Sequence, residues 1–229
     1  MPEHRADPTR RLRIVIALWL ALAAGPLAAK TETEASARAV ATLYFAAHNA
    51  HRLDDVMALY AENPRFTLSM GRGTVVGKAA VRNLELFDAM AGSVLHPFGA
   101  SFEAHENGWH MHFAGVLESS SIFRAMGLDI VRTQPIRSTI VIQEGRVTAI
   151  VQPELIAACS RTMAKGLGAL TDWLKASQNP LGDILLRDGR LDLRATNIAE
   201  TIAAINAWRT KTGWRPEPVD VTQCAGTDF

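Results

Sequence analysis

Apolar residues along this chain change period several times, and each change marks an element. From about Ala35 to Asn49, Val40, Leu43, Tyr44 and Ala47 recur at helical spacing, which predicts a first helix. A short turn at His51-Arg52 follows, with Asp54 placed to cap a second helix through Leu59 and Tyr60. Pro64 ends that helix in this reading. Phe66 to Met70 and Thr74 to Val76 then predict short strands around a Gly71-Arg72-Gly73 turn. A third helix is predicted from about Lys78 to Ala91.

Beyond Ala91 the period falls to two. Asn107-Gly108 sits between alternating residues and predicts a two-residue hairpin turn. Pairing outward sets Glu106 against Trp109, His105 against His110 and Ala104 against Met111, then Glu103 against His112 and Phe102 against Phe113. One face then carries Phe102, Ala104, Trp109, Met111 and Phe113, and the other carries Glu103, His105, His110 and His112. A second hairpin is expected at Glu144-Gly145, with Ile136, Ser138, Ile140, Ile142, Val147, Ala149 and Val151 sharing one face. Ile122 to Leu128 suggests a short helical insertion between the hairpins. Glu154 to about Ser177 returns to helical spacing, Asn179-Pro180-Leu181-Gly182 marks a boundary, and Asp192 to Thr210 suggests a last helix.

The chain's 229 residues suffice for one domain and an appendage, and a net charge of +1 gives no electrostatic case for nucleic acid as a partner. The first 29 residues read as an export signal. Arg5, Arg10, Arg11 and Arg13 precede an apolar run from Ile14, and Gly25-Pro26-Leu27-Ala28-Ala29 supplies small residues for cleavage. That run is short for a span of roughly twenty residues. A periplasmic or secreted location is therefore expected, with a membrane role only if the segment is retained. In an oxidising compartment Cys159 and Cys224 are candidates for a disulfide tying the tail to the domain. The alternative is two unpaired thiols.

The helix-helix block with Tyr44 and Tyr60, the segment Val76-Gly77-Lys78-Ala79-Ala80-Val81 and the hairpin Gln143-Glu144-Gly145-Arg146-Val147 resemble the nuclear transport factor 2-like superfamily. Within it, the SnoaL-like and ketosteroid isomerase-like groups are the nearest in pattern. The resemblance covers roughly 35–178 and leaves 179–229 as a C-terminal helical extension. It implies an α+β cone, a curved mixed sheet covered by N-terminal helices around a pocket, often dimerising through its open face. It also implies that activity varies, because the fold hosts isomerases, cyclases, hydrolases and non-enzymatic modules.

Ketosteroid isomerase chemistry needs a carboxylate base, a tyrosine donor and a protonated aspartate. Tyr44 falls at the tyrosine position, but the base position falls at Leu68 and the aspartate position near Arg137 or Ser138. One part of three survives, so that mechanism is disfavoured. Tyr44 and His48 lie four residues apart on one helix face. They read either as donor and general base for enolisation or ring closure, or as a core aromatic beside a surface histidine. The Glu103, His105, His110 and His112 face offers metal-ligand types, but on the polar side, so no metal and no cofactor are expected.

The expected pocket is lined by Tyr44, Phe66, Leu68, Phe102, Trp109, Met111, Phe113, Ser138 and Ile140. A small, largely apolar molecule is the expected ligand, with isomerase or cyclase chemistry left open, and a homodimer is the expected assembly. The rival reading is a non-catalytic binding or assembly module of the cell envelope.

Overall fold

The computed structural model describes residues 33–68, 73–128, 136–152 and 157–217. The export signal, the Gly71-Arg72 part of the predicted turn and Cys224 lie outside them, and so does the Cys159–Cys224 pairing. Among the described residues no helix is long and apolar enough to cross a membrane.

Helix α1 (Glu34–Asn49) starts at Thr33, whose hydroxyl accepts from Ser36 N at 3.2 Å while Ser36 Oγ accepts from Thr33 N at 2.9 Å. That reciprocal cap satisfies two donors that a helix start leaves free. The buried stripe of α1 is Ala37, Ala41, Tyr44, Ala47 and His48. It is rotated from the predicted one, and Leu43 is exposed. Alanines form the contact because a helix lying close over a sheet has room for methyl groups and little more.

Helix α2 (Leu53–Leu59) starts at Arg52, not at Asp54, which instead pairs with Arg82 at 2.9 Å on the surface. Tyr60 is the first residue of strand β1 (Tyr60–Thr67), so the helix ends before it, and Pro64 lies within the strand. The ladder explains this. β1 runs parallel to β6 at Tyr60↔Val147 and again from Arg65↔Ala149, with an irregular stretch between. A proline, having no N–H to donate, is tolerated where the ladder is interrupted.

β2 (Thr74–Val76) leads into α3 (Lys78–Ala91), which ends at Gly92 in the left-handed conformation. Strands β3 (Val94–His105), β4 (Gly108–Ser119), β5 (Ile136–Gln143) and β6 (Arg146–Val151) complete an open six-stranded mixed sheet in the order β2-β1-β6-β5-β4-β3. This is the α+β class and the element order that the resemblance implies.

Both hairpins differ in register from the pattern-based reading. The first turns at Glu106-Asn107, with His105 opposite Gly108, Ala104 opposite Trp109, Phe102 opposite Met111 and Ala100 opposite Phe113. Gly108 is not a turn residue. A Cβ there would fall 2.1 Å from the Ile142 carbonyl oxygen, so glycine is required by the approach of β5. Partners shift by two positions, which keeps every side chain on its expected face. Met111 and Phe113 are buried on that face, with Phe102 and Trp109 packed beside them.

The second hairpin turns where expected, with positive φ at Glu144 and Gly145 and Gln143 opposite Arg146. The pairing then slips from Ile142↔Val147 to Val141↔Ala149, leaving Thr148 as the extra residue of a bulge. Its hydroxyl donates to the Val141 carbonyl at 3.3 Å. The bulge reverses the faces beyond it, so Ile150, not Ala149, is buried across from Ile140.

Two hydrophobic clusters result. The first joins α1, α2 and the sheet. The second joins the insertion helix α4 (Ser121–Ala125) to α5 (Ala157–Ala176), α6 (Leu181–Leu185) and α7 (Ile198–Thr212). Helix α3 serves both, with Val81 in the first cluster and Ala91 in the second. Its middle, at Glu85 and Asp88, lies between them.

Candidate functional site

The helical layer and the start of β1 converge on one buried carboxyl group. Glu85, on the face of α3 that also carries Val81, is 3% exposed. Its Oε1 accepts from Tyr60 Oη at 2.6 Å and from Tyr44 Oη at 3.1 Å. Its Oε2 lies 3.0 Å from His48 Nδ1. Tyr44 and His48 are one turn apart on the buried stripe of α1, and both are buried. The end of α1 is fixed by Asn49, whose side-chain amide donates to the Leu95 carbonyl at 2.9 Å and accepts from Leu95 N at 2.8 Å.

The other imidazole nitrogen extends the network. His48 Nε2 lies 3.5 Å from Ser93 Oγ, and Ser93 Oγ–H donates to Glu118 Oε1 at 2.9 Å. Ser93 follows the Gly92 cap of α3 and its backbone N–H donates to the Asp88 carbonyl at 2.8 Å, which fixes its position. Ser93 has a single proton to place. While that proton points at Glu118, His48 Nε2 can meet Ser93 Oγ only as an N–H donor. When Glu118 carries the proton and donates, the serine hydroxyl is free to turn toward a neutral His48. The row Glu85–His48–Ser93–Glu118 thus has two proton arrangements, related by transfer of one proton between His48 and Glu118 and a rotation of the Ser93 hydroxyl.

Burial shapes the charges here. It pushes the Tyr44 and Tyr60 phenols well above their usual range, reinforced in Tyr44 by Glu85 and in Tyr60 by Tyr44 and then Glu85. Both therefore stay protonated and remain donors. Asp88 is raised well above the usual carboxylate range by burial, then by the charges of Glu118 and Glu85. Glu118 is raised by burial, against the opposing effects of its Ser93 hydrogen bond and of His48.

A raised folded-state pKa means that the folded chain binds more protons than the unfolded chain between the two values. Stability is then greatest below the unfolded pKa and falls as pH rises toward the folded value. We expect the urea midpoint of the wild-type chain to fall between about pH 5 and about pH 7.5 by more than that of Asp88→Asn, which is neutral throughout. Equal changes in the two proteins would remove Asp88 from this account.

A cavity of about 10 Å³ adjoins His48 and Glu85 and is also lined by His51, Leu53, Val56 and Ala89. That is room for about one water.

Of the residues singled out from sequence, Tyr44 and His48 meet at Glu85. Tyr44, Phe66, Met111, Phe113 and Ile140 are buried in the first cluster, with Leu68, Phe102 and Trp109 packed against it. Ser138 is buried opposite Phe113. The polar sheet face brings Glu103 within 3.2 Å of His112 Nε2 and 3.5 Å of His105 Nε2, with the His105 and His110 rings stacked 3.6 Å apart. Hydrogen bonding from His112, then the charge of His105, holds the exposed Glu103 carboxyl below its usual value.

Pattern reading missed Tyr60 as a site residue, and Glu85, Asp88, Ser93 and Glu118 entirely. A signal for two of them was available. Val81, Glu85 and Asp88 share one helical stripe, and two acids on an otherwise apolar stripe need partners. Ser93 and Glu118 carry no local signal, because only the return of β4 past the end of α3 brings them together.

No protein-family model and no curated protein matches the sequence. Among solved structures, the chain is similar to the epoxide hydrolase/cyclase-like enzyme SalBIII, described for pyran ring formation in the polyether salinomycin. Identity is 18% over 52% of this chain and 87% of that one, with a TM-score of 0.38. A putative polyketide cyclase from Xanthomonas campestris pv. campestris is 16% identical over 52% of this chain and 89% of its own, with a TM-score of 0.39. An NTF2-like protein of unknown function from Pseudomonas putida KT2440 is 13% identical over 53% and 84%, with a TM-score of 0.43.

Proposed function

We propose that this chain is an exported small-molecule domain with acid–base chemistry of the isomerase or cyclase type, acting on a largely apolar substrate at His48. One observation carries the reading. A buried imidazole has a carboxylate acceptor on one nitrogen and a serine-linked acid on the other. In the arrangement with the proton on Glu118, His48 Nε2 is the proton-accepting atom, and Glu85 holds the ring and offsets the charge that the ring gains. Ser93 and Glu118 supply the route by which the proton leaves or returns. The Tyr44 hydroxyl already donates to Glu85, so in this proposal it orients the carboxylate and does not polarise the substrate.

The apolar side chains Leu68, Phe102 and Trp109, only partly buried at the edge of the first cluster, are the surface proposed to receive the substrate. The buried packing of Met111 and Phe113 favours the rival reading of a binding or assembly module, which needs no proton transfer.

Deuterium uptake separates the two. Cyclic ketones with acidic α-hydrogens, incubated with the full chain in deuterium oxide containing a chelator, should lose α-proton NMR signal faster than in buffer. His48→Ala should slow that exchange by about 100-fold or more, the size of a lost general base. Ketones that bind without exchanging would favour the module. Export is tested separately, by mass analysis of the secreted chain, which should lack residues 1–29.

A further inference from the structure

Helix α3 presents Glu85 and Asp88 one turn apart, and α1 brings His48 against them. One ligand atom from each of the three lies within 4.8 Å of the other two. From this juxtaposition we infer that His48, Glu85 and Asp88 form a binding site for a first-row divalent cation.

The spacing suits an ion. Two ligands about 2.1 Å from one metal and at right angles stand about 3 Å apart, and His48 Nδ1 and Glu85 Oε2 are 3.0 Å apart. The charges suit one as well. When an ion displaces the Asp88 proton, the two carboxylates bring two negative charges into a site where His48 and Glu85 are buried, and unbalanced charge there is costly. A divalent ion cancels it. One nitrogen and two oxygens form a ligand set that selects zinc, cobalt or manganese over the all-oxygen preference of magnesium and calcium.

The surrounding groups match the requirements of a ligand shell. Tyr44 and Tyr60 donate to Glu85 Oε1, leaving Oε2 for the ion and fixing its direction. Ser93, at His48 Nε2, fixes the ring from its far side. The water-sized cavity that His48 and Glu85 line, bordered by His51, Leu53, Val56 and Ala89, provides space for a water ligand beside those two side chains.

This inference does not rest on the acid–base proposal, since an ion can bind whether or not the site turns over a substrate. The deuterium exchange above is run with chelator, so its failure and a failure here are distinguishable.

The test is calorimetric titration of the full chain, stripped with chelator, with zinc, manganese and magnesium salts. The expected result is one zinc per chain, bound more tightly than manganese, with magnesium weaker again. Asp88→Asn, whose side chain is only partly buried, should weaken zinc by at least about tenfold while the far-ultraviolet dichroism and melting transition persist. The competing surface is the Glu103, His105, His110 and His112 face. His105→Ala/His112→Ala should leave the affinity unchanged. Zinc binding that survives Asp88→Asn and disappears in the His105/His112 variant would place the ion on the sheet face and overturn the inference. The absence of zinc binding by the folded wild-type chain would overturn it equally. Cobalt substitution gives a spectroscopic check, because bands in the visible region should be present in the wild type and absent from Asp88→Asn.

Discussion

Glu85→Leu is expected to lower the unfolding free energy by about 3 to 5 kcal/mol, the range for removing one partner of a buried charged group. The leucine is similar in length and its apolar surface suits the Val81 stripe, so the loss is not one of packing. What is lost is the shared acceptor. Tyr44 Oη, Tyr60 Oη and His48 Nδ1 all reach Glu85, and all three groups are buried. Each buried donor left without a partner costs about 1 to 3 kcal/mol before relaxation. The removal of the buried carboxylate's own desolvation cost offsets part of that sum.

Glu85→Gln sets the scale. It keeps an acceptor for the tyrosines but presents either an amide N–H or a neutral oxygen to His48, and is expected to cost less than half as much. Urea unfolding of both variants, followed by tryptophan fluorescence, checks the order. If leucine and glutamine cost the same, the hydroxyl acceptors matter little and the network is incidental to the fold. For a chain of this size, the leucine variant should melt roughly 10 °C lower or more.

The same residue explains why the fold was more legible than the site. Helices α1 and α3 and the faces of β3 and β4 follow from periodicity, which each segment carries on its own. Tyr44 and His48 were visible as a pair for that reason, being one turn apart on one helix. Whether His48 faced water or protein depended on α3, where Glu85, 37 residues away, reaches it. The sequence pattern placed Leu43 inward and left the alanines of α1 unremarked. Close helix–sheet packing rewards small side chains, and no apolar count along the chain reveals that distance. Pro64 and Tyr60 misled in the same way. A proline normally ends an element, but here β1 is interrupted against β6 and passes through it. Ser93 and Glu118 are joined only by tertiary structure, so the proton route is a property of the fold and not of any segment.

Gly108→Ala is the second large expected effect, and it tests the hairpin register directly. An added Cβ would stand 2.1 Å from the Ile142 carbonyl oxygen and 2.9 Å from the Gln143 side chain. The first of these is backbone and has no rotamer in which to yield. The φ of +153° at Gly108 is also one that L-residues rarely adopt. Backbone strain of this kind costs about 1 to 3 kcal/mol, and an overpacked contact adds about as much again. A loss of roughly 3 to 5 kcal/mol is expected, large for a single methyl group. Asn107→Ala supplies the contrast. If Asn107-Gly108 were the central pair of the turn, both positions would need positive φ and both substitutions would be costly. With the turn at Glu106-Asn107 and neither residue at positive φ, Asn107→Ala should cost less than about 1 kcal/mol. Similar losses for the two variants would restore the Asn107-Gly108 turn. The consequence reaches the site, because β4 runs unbroken from Gly108 to Ser119 and its last turn of ladder places Glu118 beside Ser93. A strand pushed off Ile142 at its start should therefore also disturb the bond from the Ser93 hydroxyl to Glu118, observable as a chemical-shift change at the Glu118 carboxyl carbon.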